Sequence, residues 1–199
     1  MAADDHTRWH LNDYVINDYM NLIVERDSSI YAYDTFFYTR LIASGYNGVK
    51  KWTKKLNIFS KSKLLINKLG FGHWVLVCVN VPQKQIYYYD SISHFDVYNC
   101  LNQICTYLSN EHSHRLGNPL PIEEWDVQVP GNPMQNNNID CGVFICMFAK
   151  HLSLGAAFNF THAHMWFFRK LMAYELGTNR LIPVDVETTT INVEMWKTR

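Results

Sequence analysis

Two apolar runs, Trp74 to Val81 and Gln85 to Tyr89, constrain the fold of this chain more than any other feature. Both are rich in β-branched and aromatic residues and a Pro-containing turn separates them, so they read as an antiparallel hairpin. In such a hairpin the start of one strand and the end of the next lie at the same end of the sheet. His73, which opens one arm, is therefore a neighbour of Asp90, which closes the other. Parity sets the rest: an even loop places Asp90 opposite His73 or Val75, on the face His73 uses, and an odd loop reverses this. The sequence leaves the loop length open.

Around the hairpin, Leu64-Leu65-Ile66 reads as a short strand and Trp125 to Val129 as another. Asn12 or Asp13 caps a helix whose apolar positions Val15, Ile16, Tyr19, Met20, Leu22 and Ile23 repeat at helical spacing to about Glu25. Thr35 to Thr53 reads as two short helices with a break near Gly45 and Gly48. Val97, Cys100, Leu101, Ile104, Cys105 and Leu108 mark an amphipathic helix ended by the polar run from Asn110 to Asn118. Val143, Phe144, Met147, Phe148 and Leu152 give a buried helix, and Thr161 caps a last one running to about Leu176. The tail from Asn179 to Arg199 has no clear pattern and reads as an extra strand or an ordered extension. With no repeat, no linker and no strict βαβ rhythm, the expectation is one α+β domain over residues 1–199, a central mixed sheet flanked by helices.

Composition removes several function classes. Eighteen Lys and Arg balance eighteen Asp and Glu, so no global charge points to nucleic acid or to a membrane. The local cluster Lys50, Lys51, Lys54, Lys55, Lys61 and Lys63 reads as a solvated face. Five cysteines form an odd set without CxxC, and no secretory signal or long apolar span accompanies them, so the expected compartment is reducing, cytosol or nucleus.

Reactive chemistry concentrates in Gln135-Asn136-Asn137-Asn138-Ile139-Asp140-Cys141-Gly142-Val143-Phe144, where a polar loop becomes an apolar helical run. A helix start offers free N–H groups and a positive dipole end, which favour a thiolate at Cys141, and Gly142 lets a substrate backbone approach closely. Cys78 on a strand, and Cys100, Cys105 and Cys146 on apolar helix faces, read as small buried hydrophobes. His73 and Asp90 supply the types that complete a Cys-His-Asp nucleophilic site. Gln135 has two readings, a solvated loop amide or a donor aimed at a developing oxyanion, with the three asparagines shaping its loop. His112-x-His114 and His162-x-His164 lack partners at metal-finger spacing and read as loop and cap residues, so neither metal nor cofactor is expected. His151 reads as a satisfied interface histidine.

From Trp9 to Leu176 these pieces resemble, in order, the catalytic domain of the Ulp or sentrin-specific proteases that process and remove SUMO. His10-Leu11-Asn12-Asp13-Tyr14-Val15-Ile16-Asn17 is similar to that family's "WLNDEVIN" start, and Asn21-Leu22 continues it. Thr35-Phe36-Phe37-Tyr38, Gly45-Tyr46 and Val49-Lys50-Lys51-Trp52-Thr53-Lys54-Lys55 match the middle; His73-Trp74, Tyr88-Tyr89-Asp90-Ser91 and Gln135 through Gly142 complete the set.

The resemblance implies a papain-like thiol protease core of the Ulp type without cofactor or metal, nuclear or cytoplasmic, with SUMO or a related modifier and its conjugates as partners. It further implies a His73-Asp90-Cys141 triad, Gln135 in the oxyanion hole, and a tunnel sized for a Gly-Gly tail with Trp74 as one wall. Asp13 and the region from Phe36 to Thr39 would bind the folded body of the modifier, although Asp13 also reads as a helix cap. Two departures stand out. The tryptophan that closes the tunnel from the other side is replaced by His10, with Trp9 one place upstream, and the usual "VPIH" is Ile66-Asn67-Lys68-Leu69. Alternatives are a degenerate protease that only binds the modifier, a protease for another ubiquitin-like modifier, and an acyltransferase.

Overall fold

The expected hairpin forms the middle of a five-stranded sheet in the computed structural model, which describes residues 10–92 and 96–183. Its arms are β3 (His73–Asn80) and β4 (Gln85–Tyr89), paired antiparallel from Asn80↔Gln85 to Leu76↔Tyr89. β1 (Ile30–Ala32) runs parallel to β2 (Lys63–Gly70), β2 antiparallel to β3, and β5 (Asp126–Gln128) parallel to β4, giving a mixed sheet in the order β1-β2-β3-β4-β5. Among the described residues five α-helices flank it: α1 (Asp13–Arg26), α2 (Phe36–Val49), α3 (Val97–Leu116), α4 (Cys141–Leu154) and α5 (Met165–Thr178). The α+β expectation holds.

Strand alternation builds two cores. Leu65, Trp74, Leu76 and Cys78 point to one side, where they pack with Tyr19 and Ile23 of α1, Phe144 and Phe148 of α4, and Phe168 of α5. Leu64, Ile66, Val75, Val77, Val79, Ile86 and Tyr88 point to the other, against Phe37 and Leu41 of α2 and Ile104 and Leu108 of α3. Every residue of α4 from Cys141 to His151 is buried, because α1 and α5 cover the sides that the sheet leaves free. Even Lys150 is inside; its ammonium pairs with the buried Glu175, which also accepts from Tyr19 Oη at 2.6 Å.

Several boundaries differ from the sequence reading. β2 runs to Gly70 and closes onto β3 through Phe71-Gly72, both at positive φ (53° and 75°), as a two-residue turn of this hand requires. Asn67 and Lys68 hid this extension by interrupting the apolar run; Asn67 is nevertheless buried and Lys68 Nζ reaches Asp96 at 3.0 Å. β1 escaped notice because three residues carry no periodicity. α3 continues through Asn110 to Leu116 and stops at Gly117 in the left-handed region (φ 81°). Its polar last turns are held by the buried Glu111, which accepts from Thr53 Oγ1 and Tyr46 Oη, both at 2.7 Å, and pairs with Arg115. The break inside α2 falls at Gly45 (φ 60°, ψ −167°), as expected. Asn12 is the cap of α1, its Oδ1 accepting from Val15 N at 3.0 Å, so Asp13 does not serve as the cap. Of the expected C-terminal extension, residues 184–199 lie outside the described part, as does Trp9.

Candidate active site

Cys141 is the first residue of α4, at the end of a buried helix, and is itself buried. Asp140 occupies the cap position, yet its carboxylate bonds to none of the helix's N–H groups. Arg169 of α5 holds it instead, with Nη2 at 2.6 Å and Nε at 2.9 Å from Oδ1 and Nη2 also 3.0 Å from the Ile139 carbonyl, while Asn137 Nδ2 reaches Oδ2 at 2.8 Å. The first N–H groups of α4 are thus left uncapped by the Asp140 side chain.

His73 stands at the start of β3, with its Nε2 2.6 Å from Oδ1 of the fully buried Asp90. A carboxylate accepts, so Nε2 carries the proton and Nδ1 is the basic nitrogen of the neutral ring. Nδ1 is buried and faces no nitrogen or oxygen partner among the described residues, which leaves the Cys141 thiol as the group the ring interacts with besides Asp90. Burial lowers the pKa of the ring, and the hydrogen bonds and charges of Asp90 and Cys141 raise it further, to about 9. The same low-dielectric surroundings that would keep an isolated imidazole neutral here make an imidazolium paired with the Asp90 carboxylate favourable. The other core thiols lack such partners: burial pushes Cys78 up to about 12 and Cys100 up to about 11, and raises Cys146 as well. They are packing groups, as their positions suggested.

Gln135 lies in the loop between β5 and α4, stitched to the end of β4. Its N–H donates to the Ser91 carbonyl at 2.6 Å, its Oε1 accepts from Ser91 Oγ at 2.6 Å, and its Nε2 donates to the Asn137 carbonyl at 2.6 Å. Asn132 Nδ2 adds a bond to the Asp90 carbonyl at 2.9 Å. The remaining sequence-selected residues divide. Trp74 is buried in the core cluster that contains Cys141. Phe36 is exposed at the start of α2, and Asp13 is half-buried in the first turn of α1. Asn17, whose amide joins Asp34 and Thr35, ties these two helix starts together. His10 is half-buried in the segment leading into α1.

Gly142 packs against the segment that leads into α1. A Cβ at this position would stand 2.8 Å from Leu11 Cβ, so the missing side chain makes room for the protein's own leading segment. Ser91 and Arg169 carry much of the site's geometry and were not singled out in the sequence. Ser91 stood inside a matched motif with no role attached, and Arg169 gave no signal. Of the paired histidines, His112 and His114 lie in the last turns of α3 and not in a loop, with His112 Nδ1 2.6 Å from the Asn118 carbonyl, while His164 takes the expected cap role, its Nδ1 accepting from Thr161 N at 3.0 Å. His151 is satisfied by the Met147 carbonyl at 2.7 Å.

A buried cysteine at a helix start, a histidine coupled to it and a buried aspartate behind the histidine define the site as one of the Cys-His-Asp class on an α+β scaffold. The chain matches the Ulp1 protease family, C-terminal catalytic domain, over residues 9–181, and it belongs to that family. It is 35% identical over 180 residues to Sentrin-specific protease 2 of Mus musculus, covering 86% of this chain and 30% of that protein. It is 37% identical over 185 residues to Sentrin-specific protease 5 of Homo sapiens, covering 92% and 24%. The chain therefore spans less than a third of the length of these relatives. Among solved structures it resembles the C-terminal Ulp1 protease domain in complex with Smt3, the yeast ortholog of SUMO, with a TM-score of 0.77 and 29% identity over 85% of this chain and 77% of that one. It likewise resembles the SUMO protease Ulp1 with its catalytic cysteine oxidised to a sulfonic acid, with a TM-score of 0.76 and 30% identity over 85% and 78%. Among the described residues no helix is long and apolar enough to cross a membrane.

Proposed function

We propose that this chain is a thiol protease domain that hydrolyses the bond after the C-terminal Gly-Gly of SUMO, in precursors and in isopeptide conjugates. The observation that carries this reading is the 2.6 Å bond between His73 Nε2 and the buried Asp90, on a ring coupled to Cys141 at the head of α4. Cys141 Sγ attacks the carbonyl of the terminal glycine while His73 Nδ1 holds the thiol proton, then delivers it to the leaving amine; Asp90 fixes the ring and stabilises its charged form. Water, activated by the same nitrogen, attacks the thioester and releases the modifier with a free carboxylate. Gln135 donates to the oxyanion.

The Smt3 complex of the resembling Ulp1 domain supports SUMO as the modifier. In this reading Trp74 backs the slot for Gly-Gly, His10 stands on its other side, Gly142 seats the segment that carries His10, and Asp13 and Phe36 contact the modifier's folded body. Five free cysteines support a reducing compartment, nucleus or cytoplasm, and residues 1–199 act as one catalytic unit. The test is a panel of C-terminal fluorogenic conjugates of SUMO, a Nedd-like modifier and ubiquitin. Turnover of the SUMO conjugate, absent in Cys141→Ala, is expected; turnover only of another modifier, or tight binding of SUMO without turnover, would overturn the assignment.

A further inference from the structure

Gln135 can serve an oxyanion only through its NH2 edge, since the carbonyl edge of the same amide would repel the developing charge. The two edges are nearly the same shape, so something must set the polarity of the group. Two neighbours do so. The Asn137 carbonyl can only accept, and it lies 2.6 Å from Nε2, which fixes that end as NH2. Ser91 Oγ lies 2.6 Å from Oε1 and, facing an acceptor, must donate. Ser91 is fully buried, so its hydroxyl has no water to turn to when the Gln135 bond is lost. Of the two N–H groups on Nε2, one is taken by Asn137, and the second has no acceptor among the described residues.

We infer that Ser91 is a positioning residue of the reaction: its hydroxyl and the Asn137 carbonyl together lock the Gln135 amide with one N–H free for the oxyanion. Resting on the protease reading above, this also explains why the residue after the triad aspartate is a serine. Asp90 and Ser91 are consecutive, and one chain step holds both the imidazole and the oxyanion donor. The bonds from Gln135 N to the Ser91 carbonyl and from Asn132 Nδ2 to the Asp90 carbonyl fasten the whole loop to that step. Movement of either site would be transmitted to the other.

A double-mutant cycle on the SUMO fluorogenic conjugate tests this. Gln135→Ala is expected to lower kcat about 100-fold, and Ser91→Ala to lower it roughly tenfold with little change in KM. The double variant should be no slower than Gln135→Ala alone, because Ser91 acts through an amide that is then missing. Full multiplication of the two losses, or a normal kcat in Ser91→Ala, would overturn the inference. A second readout does not depend on turnover: the Gln135 side-chain NH2 resonances, assigned by their loss in Gln135→Ala, should shift and their two protons become more alike in Ser91→Ala. Unmoved resonances would refute the lock, whereas a wild-type protein inactive on the whole panel would refute the functional reading and leave this measurement to decide the lock.

Discussion

The His73 ring and the Asp90 carboxylate meet at 2.6 Å because four residues, Val81 to Lys84, connect β3 to β4. Four is even, so the ladder that ends at Leu76↔Tyr89 would, one step further, set Asp90 beside Val75 on the face His73 uses. Cys141 comes from α4, on the opposite face of the sheet. The three groups meet at the sheet's end, His73 bonded to Asp90 and interacting with Cys141.

If Cys141 and His73 act as one unit, as the proposed mechanism has it, removing either should have similar consequences. Cys141→Ala and His73→Ala are each expected to lower kcat/KM by about 10³-fold or more, and the pair by little beyond either. Asp90→Asn should cost less than either, because the amide can still hold the ring while losing the charge. Steady-state kinetics with the SUMO conjugate reads all four; multiplicative losses would show that the residues work separately.

The raised pKa of His73 has a pH signature. Its folded value of about 9 lies above the ordinary 6.5, so the stabilisation from its pairing is complete below pH 6.5 and is lost as pH rises through 9. The Tm difference between wild type and Asp90→Asn should therefore be widest near pH 6 and narrow towards pH 10. An NMR titration of His73 should give a midpoint near 9 in the wild type and a lower one in the variant. A Tm difference that does not change with pH would contradict the ion pair.

Gly142→Ala drives a methyl to 2.8 Å from Leu11 Cβ. The expected destabilisation is about 1–3 kcal/mol, with part of it recovered in the double variant with Leu11→Gly, as urea unfolding would show. If Gly142 served only substrate access, stability would not move and KM alone would rise.

Arg169→Ala leaves the buried Asp140 carboxylate without its main cationic partner, at the residue before the nucleophile. A loss of about 3 kcal/mol is expected, accompanied by a fall in kcat, since the start of α4 is no longer anchored. Arg169→Lys should restore the charge and little of the geometry, because a single ammonium cannot reproduce the planar pair of Nε and Nη2 donors that both reach Asp140 Oδ1. Chemical denaturation and kinetics on the three proteins separate the two effects.

Glu175→Gln removes the counter-charge of Lys150 deep between α4 and α5. The cost should reach about 3–5 kcal/mol while the active-site geometry is retained, so kcat measured well below the lowered Tm should remain near wild type. A fall in kcat equal to that of Arg169→Lys would place Glu175 in the catalytic network instead.

Most elements were legible because their apolar residues repeat at 3.6 or 2.0. α1, α4, α5 and the β3–β4 hairpin follow this rule, and their expected ends fall close to the observed ones. Reading failed where polar residues sit inside an element. Lys68 in β2 and Glu111 in α3 look like loop residues until Asp96 and Arg115 are placed beside them. Short β1 carries too few residues for any period.

Cys141 could be separated from the other four cysteines by sequence alone, because a polar run followed at once by an apolar helical run is a local property. His73 and Asp90 could be named as neighbours, because a hairpin joins them within eighteen residues, counted inclusively. Tertiary structure decided the parity of their meeting, the hold of Ser91 on Gln135, the grip of Arg169 on Asp140 and the seat of Leu11 on Gly142. Each of these depends on where a polar group or a missing Cβ stands relative to a distant segment, and side-chain periodicity records which face a residue takes but not what it meets there.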